Sequence, residues 1–401
     1  MKKFLSIVMV LTGILLVSCQ KEGAELLNYV VNVTYPEGYV YTDLSGIKVT
    51  AVNNLSSRED SARTDANGTA TLKLETGSYT ISASILTEEF AFNGVLETVI
   101  VNDVLLSSDI SLLAVSLKGG LVFKEVYYTG SKTPSATNYY SDQFFEIYNN
   151  SDETIYLDGL CISVLDPTSS SSASPWVKQD GSLRDSLPCL FQTWMWPGTG
   201  HDNPLLPRTS TVVAQDAINH QTDPAGNPSS PVNLASAQWE SYVAAAGKDT
   251  DTPGVPNLTL IYTTSATMYD WLASVFGSAV IIFRLPTGTD YTTFVNNPAN
   301  FKRKPGSSST TQYLMVDKSW VIDALDAVQA DPTKQYKRIP ADLDAGKIYC
   351  SGTYVSKSVR RKVDKIIGGK VFYKDTNNST NDFLGEQTPT PFVHPTVVDT
   401  K

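Results

Sequence analysis

The chain has few of the residues on which most enzymes depend. Its 401 residues include three histidines, His201, His220 and His394, and none of them stands in a His-Glu-x-x-His or His-x-x-Glu pattern. Because zinc hydrolases of the usual type take their metal ligands from such patterns, the sequence does not favour one. A Gly-x-Ser-x-Gly elbow, a Walker loop and a dinucleotide-binding fingerprint are also absent. The sequence therefore indicates no familiar reaction.

Cysteine is scarce as well, with four residues in the chain. Apart from Cys19 these are Cys161, Cys189 and Cys350, so at most one internal disulfide can form among them. A bond between Cys161 and Cys189, the nearest pair in sequence, is one interpretation. Three separate buried thiols that pack as small hydrophobic side chains are the other.

Long apolar runs are absent after the first 18 residues. Residues 4–17 are interrupted only by Ser6, Thr12 and Gly13, and Lys2 and Lys3 precede them. This run is shorter than the roughly 20 residues that a membrane-spanning helix needs. A positively charged start followed by a short apolar stretch is typical of a signal peptide.

The residues that close this run, Leu16-Val17-Ser18-Cys19, resemble the lipobox of bacterial lipoproteins. In such proteins a signal peptidase exposes the cysteine, which carries a thioether-linked diacylglycerol. The resemblance implies a signal peptide over residues 1–18, a lipid on Cys19 and a tether over residues 19–27. Gln20, where retained lipoproteins have Asp, implies export to the outer membrane. We expect the protein to lie at the cell surface, and the periplasmic side is the alternative.

Composition and charge describe an acidic, globular mature chain. Hydrophobic residues make up 41% of the sequence and charged residues 18%, which is typical of a folded protein. The formal charge of −10 becomes about −12 when cleavage removes Lys2 and Lys3, the two positive charges of the signal peptide. No nucleic-acid partner is expected for an exported acidic chain.

Residues 28–116 alternate between apolar and polar positions as the strands of a β-sandwich do. The apolar positions are Tyr29, Val31 and Val33, then Ile47, Val49 and Ala51, then Leu72 and Leu74, then Tyr79, Ile81 and Ala83. Residues 64–72 (TDANGTATL) and 77–83 (GSYTISA) resemble the carboxypeptidase-regulatory, transthyretin-like fold. The resemblance implies a module without catalytic residues. We expect it to act as a spacer between the membrane and the next domain, and a binding role is the alternative.

Residues 117–388 form the predicted second domain. Residues 121–130 (LVFKEVYYTG), 142–150 (DQFFEIYNN) and 155–160 (IYLDGL) resemble the lamin-tail domain, an immunoglobulin-like sandwich. Glu125 and Glu146 match the two acidic positions of that family. We expect helices in the insertions at 237–246, capped by Ser236, and at 268–276.

The fold class is accordingly all-β, with two immunoglobulin-like β-sandwiches, the second carrying long helix-containing insertions. A tail rich in Pro and Thr follows over residues 389–401. The complete arrangement resembles a family of uncharacterised surface lipoproteins from Bacteroidetes. This resemblance implies architecture and location, and it implies no activity.

Three groups of residues are candidates for binding. Trp194, Trp196 and His201 lie in an aromatic, Gly-rich stretch, where exposed indoles could stack on a sugar or anchor a protein, and buried loop packing is the alternative. Arg360 and Arg361 lie in a basic segment suited to a polyanion, and pairing with the protein's own acidic loops is the alternative. Asp375, Asn377 and Asp382 carry the oxygen ligands of a calcium site, and a turn held by Asx bonds is the alternative.

The function predicted from the sequence is that of a non-catalytic, outer-membrane-anchored lipoprotein of a surface nutrient-uptake system, which binds a glycan or other ligand or docks to an outer-membrane transporter. No cofactor is expected apart from the calcium candidate. A glycan hydrolase built on carboxylates, with Glu125 and Glu146 as first candidates, is the alternative. Adhesion to a host or matrix is a third interpretation.

Overall fold

The computed structural model describes residues 25–36, 39, 41, 43–87, 90–116, 120–247, 249–265, 267–271 and 273–400. The predicted signal peptide, its lipidation site Cys19 and most of the tether lie outside these residues. So does the 117–119 stretch at the predicted start of the second domain. The described part is almost entirely strand and loop, which confirms the all-β fold class. None of the helices in that part has the length and apolar character of a membrane span.

Eight strands form the first sandwich. They are β1 (Leu27–Thr34), β2 (Lys48–Asn53), β3 (Glu59–Arg63), β4 (Thr69–Leu74), β5 (Gly77–Leu86), β6 (Phe90–Val101), β7 (Ser107–Ser111) and β8 (Leu113–Ser116). A three-stranded sheet in the order β4-β1-β7 faces a five-stranded sheet in the order β3-β2-β5-β6-β8. The apolar positions predicted from alternation all point into the core between these sheets.

The turn between β3 and β4 shows why the chain reverses where the sequence predicted. The Asp65 carboxylate accepts the N–H groups of Asn67 and Thr69, both at 2.9 Å. Gly68 has a φ of +80°, and a Cβ there would lie 2.4 Å from the Val33 carbonyl oxygen. Only glycine fits this position.

The second sandwich contains the remaining strands. They are β9 (Leu121–Tyr127), β10 (Ser131–Lys132), β11 (Asn138–Tyr139), β12 (Phe144–Asn149), β13 (Ile155–Tyr156), β14 (Cys161–Leu165), β15 (Ser186–Met195), β16 (Pro204–Leu205), β17 (Ser210–Ala214), β18 (Trp239–Glu240), β19 (Thr259–Thr263), β20 (Ala279–Phe283), β21 (Phe301–Arg303), β22 (Gln312–Asp317), β23 (Val321–Asp326), β24 (Ser358–Arg361), β25 (Val363–Ile367), β26 (Lys370–Tyr373) and β27 (Phe383–Gln387).

Two large sheets enclose the main core of this sandwich. One has the order β18-β17-β12-β9-β24-β27, and the other has the order β21-β22-β15-β14-β20-β23, with β19 paired to β15. Phe145 and Ile147 point into the core, as the alternation of this strand predicts, and Phe145 stacks on Trp271 with ring centroids 4.5 Å apart. Aromatic packing of this kind accounts for much of the buried apolar area.

A β-bulge in β9 places two successive polar residues on the outer face of the six-stranded sheet. Glu146 pairs with Glu125, but the next residue, Ile147, pairs with Phe123, so Lys124 is the extra residue. Phe123 and Val126 both face the core. Lys124 and Glu125 therefore lie together on the opposite face.

The helices predicted at 237–246 and 268–276 are wrong. The first segment contains β18 and a 3-10 helix at Ala244–Ala246, and the described residues of the second form loop. Trp239 pairs with Val213 of β17 and enters the main core, whereas Ala237 enters a separate cluster. Burial at two places overrides the helix preference of the alanines.

Short helices occur elsewhere in the described residues. The two α-helices are α1 (Tyr291–Asn296) and α2 (Ser379–Asp382), and 3-10 helices also occur at Pro298–Asn300, Lys318–Trp320 and Pro332–Lys334. The side chains of Asp290 and Asn378 cap α1 and α2 by accepting the N–H of the third helical residue. One contact between the sandwiches is the bond from Asn93 Nδ2 to the Thr376 carbonyl oxygen, at 2.6 Å.

Candidate functional site

Trp194 and Trp196 lie inside the second sandwich. Neither side chain has exposed surface, and both belong to the main core. Their ring centroids lie 6.5 Å from that of Trp271 and 6.4 Å from that of Trp239, respectively. The two indoles cannot stack on a ligand, so buried packing, the alternative interpretation, is the one that the structure shows.

His201 is exposed in the loop that follows Trp196, whereas both indoles are buried. Its ring packs edge-on against Tyr156, with centroids 4.6 Å apart. The same loop is held by the Asp158 carboxylate, which accepts the N–H groups of Asp202 and Asn203 at 3.0 and 2.9 Å. The structure therefore does not bring His201 together with the tryptophans as one binding surface.

Arg360 and Arg361 pair with the protein's own carboxylates. Arg361 is buried, and its guanidinium lies 2.6 Å from Asp323 and 3.0 Å from Asp375. Arg360 forms a two-pronged pair with Asp399, in which both N–O distances are 2.9 Å. The structure therefore shows pairing with the protein's own carboxylates, the alternative interpretation, and neither guanidinium is free to bind a polyanion.

Two of the three calcium candidates, Asp375 and Asp382, lie beside Arg361. The Asp382 carboxylate accepts the backbone N–H and the hydroxyl of Thr376, both at 2.7 Å, and it lies 3.8 Å from the Arg361 guanidinium. Asn377 has a φ of 49°, and its amide nitrogen donates to a backbone carbonyl oxygen. The Asp382 carboxylate, which also accepts the Asn378 N–H at 3.1 Å, holds the turn over residues 376–382, and the cation beside Asp375 and Asp382 is Arg361.

Glu125 and Glu146, the first candidates for a hydrolase, lie beneath the C-terminal segment 389–399. Glu125 accepts the backbone N–H of Thr390, at 3.2 Å, and Glu146 accepts that of Phe392, at 3.3 Å. Glu146 also pairs with Lys124, and both side chains are fully buried. Burial raises the pKa of Glu125. Covered and paired in this way, the two carboxylates hold the C-terminal segment on the sheet.

A cavity of about 290 Å³ opens at one end of the second sandwich. The residues that line it come from loops at Tyr128, at Val275 and Phe276, at 328–331, and at 350–353. Antiparallel pairing explains why these loops meet: β9 ends where β24 begins, and β23 ends where β20 begins. We call this region the loop end. Such loop clusters on a rigid sandwich are where binding sites usually lie.

The cavity combines an apolar floor with a polar rim. Cys350 and Tyr128 are almost completely buried, and the Cys350 N–H donates to the Tyr128 hydroxyl oxygen at 2.9 Å. Gln329, Asp331 and Ser351 contribute polar groups. Burial raises the pKa of the Cys350 thiol to about 11, so it stays protonated at neutral pH and is a poor nucleophile.

The lining includes one exposed aromatic side chain, that of Phe276. Phe276 lines the cavity and keeps 54% of its surface exposed, which leaves an aromatic ring free for contact with a ligand. An aromatic face beside amide, carboxylate and hydroxyl groups is the combination that sites for small polar molecules use.

Three carboxylates converge near the same end, where β17 ends. Asp216, Asp249 and Asp270 each have an oxygen within 4.8 Å of the others. Burial, and then the carboxylates of Asp270 and Asp249, raise the pKa of Asp216 to about 7. Burial and Asp249 raise the pKa of Asp270 to about 6. The cluster therefore shares protons close to neutral pH.

Sequence reasoning missed both features of the loop end. Asp216, Asp249 and Asp270 are far apart in the chain and form no motif, and the same is true of the loops around the cavity. His220, four residues after Asp216, was the one available signal. Its ring bonds to the Tyr139 hydroxyl at 2.8 Å and to the Asp216 backbone oxygen at 3.1 Å, and burial lowers its pKa to about 4.

Comparison with known proteins agrees with this architecture. Residues 206–390 match the family model described as "Protein of unknown function (DUF4876)". The crystal structure of a DUF4876 family protein from Bacteroides thetaiotaomicron VPI-5482 is similar over 93% of this chain and 99% of its own, with 26% identity and a TM-score of 0.62. No curated protein matches the chain.

These similarities support the predicted likeness to an uncharacterised family from Bacteroides and its relatives. The likeness extends through both sandwiches, because it covers nearly the whole of each chain. The transthyretin-like and lamin-tail-like identities of the two sandwiches stay predictions.

Proposed function

We propose that this chain is an outer-membrane lipoprotein that binds a small polar ligand at the loop end without transforming it, as an accessory protein of a surface nutrient-uptake system. The proposal for location depends on the lipobox that ends at Cys19. The proposal for binding depends on the cavity that the loops form at the loop end. An outer-membrane transporter is the protein partner that this role implies.

The cavity supports binding of a ligand about the size of one sugar unit. Its volume of about 290 Å³ is at the lower limit of pockets that hold small molecules, which begin near 300 Å³. The ring of Phe276 can pack against an apolar sugar face, while Gln329 and Asp331 can bond to hydroxyl groups. The protonated Cys350 thiol offers no activated nucleophile.

The occlusion of the cavity tests this proposal. We would titrate the protein with a panel of neutral monosaccharides and N-acetylated sugars, using calorimetry and thermal shift. Ala330→Trp places an indole in the lining of the cavity, and Ala299→Trp places the same side chain on an exposed 3-10 helix away from it. We expect saturable binding by the native chain and by A299W, and its loss in A330W.

Two outcomes would contradict the binding proposal. Equal affinity of A330W and A299W would place the ligand elsewhere on the protein. The absence of binding across the whole panel would contradict a sugar-sized ligand. The melting temperature of each variant without ligand shows whether the substitution has disturbed the fold.

A carboxylate-based glycan hydrolase is the second candidate function, and the Asp216, Asp249 and Asp270 cluster is the observation that favours it. One carboxyl group with a pKa near 7 beside ionised ones has the form of an acid and nucleophile pair. Hydrolysis of glycans by the native chain, with loss in Asp216→Asn and retention in Ala330→Trp, would establish this candidate and overturn the first. Adhesion to a host or matrix stays a prediction.

A further inference from the structure

Large apolar side chains project into solvent at one end of the first sandwich. They are Leu26, Leu55, Ile100, Val104, Leu105 and Leu106, which we call the apolar rim. Val104 and Leu55 are the most exposed of the six, at 86% and 85% of their surface. A soluble protein seldom presents so many large apolar side chains together unless they meet a partner.

Strand pairing places these six residues at the same end. Leu27 of β1 pairs with Leu74 at the end of β4, and Val30 pairs with Ser107 at the start of β7. In the facing sheet, Gly77 at the start of β5 pairs with Val101 at the end of β6, and the β2–β3 hairpin follows Asn53, which pairs with Tyr79. The rim is therefore formed by the beginning of β1, the β2–β3 hairpin and the β6–β7 connection.

Two separate turns hold the most exposed rim residues outward. The Asn102 side-chain oxygen accepts the N–H groups of Val104 and Leu105, at 2.9 and 2.7 Å. In the hairpin, the Asn53 side-chain oxygen accepts the N–H groups of Leu55 and Ser56, both at 2.9 Å. Because the backbone of each turn is fixed, the exposure of these side chains is built into the fold.

The position of the rim in the chain identifies its partner. Leu26 follows the predicted lipidation site, Cys19, by seven residues. Even a fully extended tether of that length spans no more than about 25 Å, so the lipid would keep the rim close to the bilayer. The opposite end of this sandwich, where β8 ends, leads on to the second sandwich.

We propose that the apolar rim inserts into the interfacial layer of the same phospholipid bilayer that holds the lipid on Cys19. This inference rests on the proposed lipoprotein function. Apolar side chains at the boundary between headgroups and acyl chains bind a membrane surface without spanning it. Since the acyl chains already hold the protein, the rim's effect is to fix the orientation of the first sandwich on the membrane.

Charges beside the rim define the kind of membrane surface. Glu25, Glu59, Asp60, Glu75 and Asp103 outnumber the nearby cations Lys48, Arg58 and Lys73. Lys48 pairs with Glu59 and Arg58 pairs with Glu75. Acidic side chains around the rim are not attracted electrostatically to anionic lipids. Contact should therefore be as strong with zwitterionic phosphatidylcholine vesicles as with vesicles that contain phosphatidylglycerol.

Fluorescent labelling of the full chain tests the proposal. Val104→Cys and Leu86→Cys each add one exposed thiol; Leu86 is 59% exposed at the opposite end of the first sandwich and serves as the matched control. Each variant is expressed with its leader, labelled with an environment-sensitive dye and placed in phosphatidylcholine vesicles. At position 104 we expect the emission of the dye to shift to the blue and to be quenched by spin-labelled lipid. At position 86 we expect neither effect.

The outcomes separate this inference from the proposed function. If the dye at position 104 is quenched no more than that at position 86, the rim does not touch lipid. A blue shift without lipid quenching would indicate a protein partner or a second copy of the chain and would also overturn the inference. The mass of the extracted protein shows independently whether Cys19 carries the lipid. A lipidated protein whose apolar rim does not contact the bilayer can therefore be distinguished from a protein that lacks the lipid.

Discussion

Lys124 and Glu146 form an ion pair inside the protein. Their Nζ and Oε2 atoms are 2.7 Å apart, and neither side chain has exposed surface. The β-bulge of β9 turns Lys124 toward Glu146, and the C-terminal segment covers the pair through the Phe392 N–H. The pair therefore couples the sheet to the segment that crosses it.

Breaking this pair should destabilise the protein strongly. In Lys124→Met, the Glu146 carboxylate would be left buried without its cation, and the free energy of unfolding should fall by about 3–5 kcal/mol. The double variant Lys124→Met with Glu146→Leu should recover much of that loss, because no unpaired charge remains. Urea denaturation measures each value. Equal losses in the single and double variants would show that packing, and not charge pairing, decides the stability.

The buried guanidinium of Arg361 should not tolerate lysine. Arg361 bonds to the Phe123 carbonyl oxygen at 2.8 Å as well as to Asp323 and Asp375, and one ammonium group cannot reach all three. We expect Arg361→Lys to lower the free energy of unfolding by about 2–4 kcal/mol. Arg58→Lys, at an exposed pair with Glu75, is the control and should change it by less than about 1 kcal/mol. Similar losses in both variants would contradict this account.

The Asp216 cluster should make stability depend on pH. The folded protein raises the pKa of Asp216 to about 7, so it binds the proton more tightly than the unfolded chain does. The stability from this group is complete below pH 4 and is lost as the pH rises through 7. Asp216→Asn cannot ionise, so its free energy of unfolding relative to the native chain should increase between pH 4 and 8 by roughly 1–3 kcal/mol.

Denaturation at several pH values, with the exposed Asp103→Asn as control, measures this dependence. A difference between Asp216→Asn and the native chain that stays constant with pH would show that the folded protein does not raise the pKa of Asp216.

The three described cysteines should be unreactive in the folded protein. Cys161, Cys189 and Cys350 are free and buried. Cys161 pairs with Met195 and Cys189 with Leu165 across β14 and β15, a separation of about 13 Å along the strands, which is too far for a disulfide. A thiol reagent should modify none of them in the native state and all three in denaturant. The loss of two thiols from the denatured count would indicate a disulfide after all.

Local pattern was sufficient for much of the fold. Alternation placed Tyr29, Val31 and Phe145 in the cores correctly, because a half-buried strand must repeat every second residue. The turn at Gly68 was also readable, because its Asx bonds and its positive φ depend only on neighbouring residues.

Features that depend on distant partners were not predictable. Trp194 lies in β15 between β14 and β19, and no neighbouring residue indicates that both faces of this part of the sheet are covered. The local pattern of residues 237–246 predicts a helix, whereas in the structure Trp239 pairs with Val213 of β17 as a strand residue. The loop-end cavity likewise joins Tyr128, Phe276 and Cys350, which only the completed sandwich brings together.

The most direct test of the account is the intact mass of the protein extracted from membranes of the cells that make it. If the chain is a lipoprotein, the mature polypeptide begins at Cys19 and carries the added mass of a diacylglycerol thioether. The Cys19→Ala variant should lack that addition and leave the membrane fraction. A native chain that keeps its first 18 residues, or that begins at Cys19 without added mass and is found in the soluble fraction, would contradict the account.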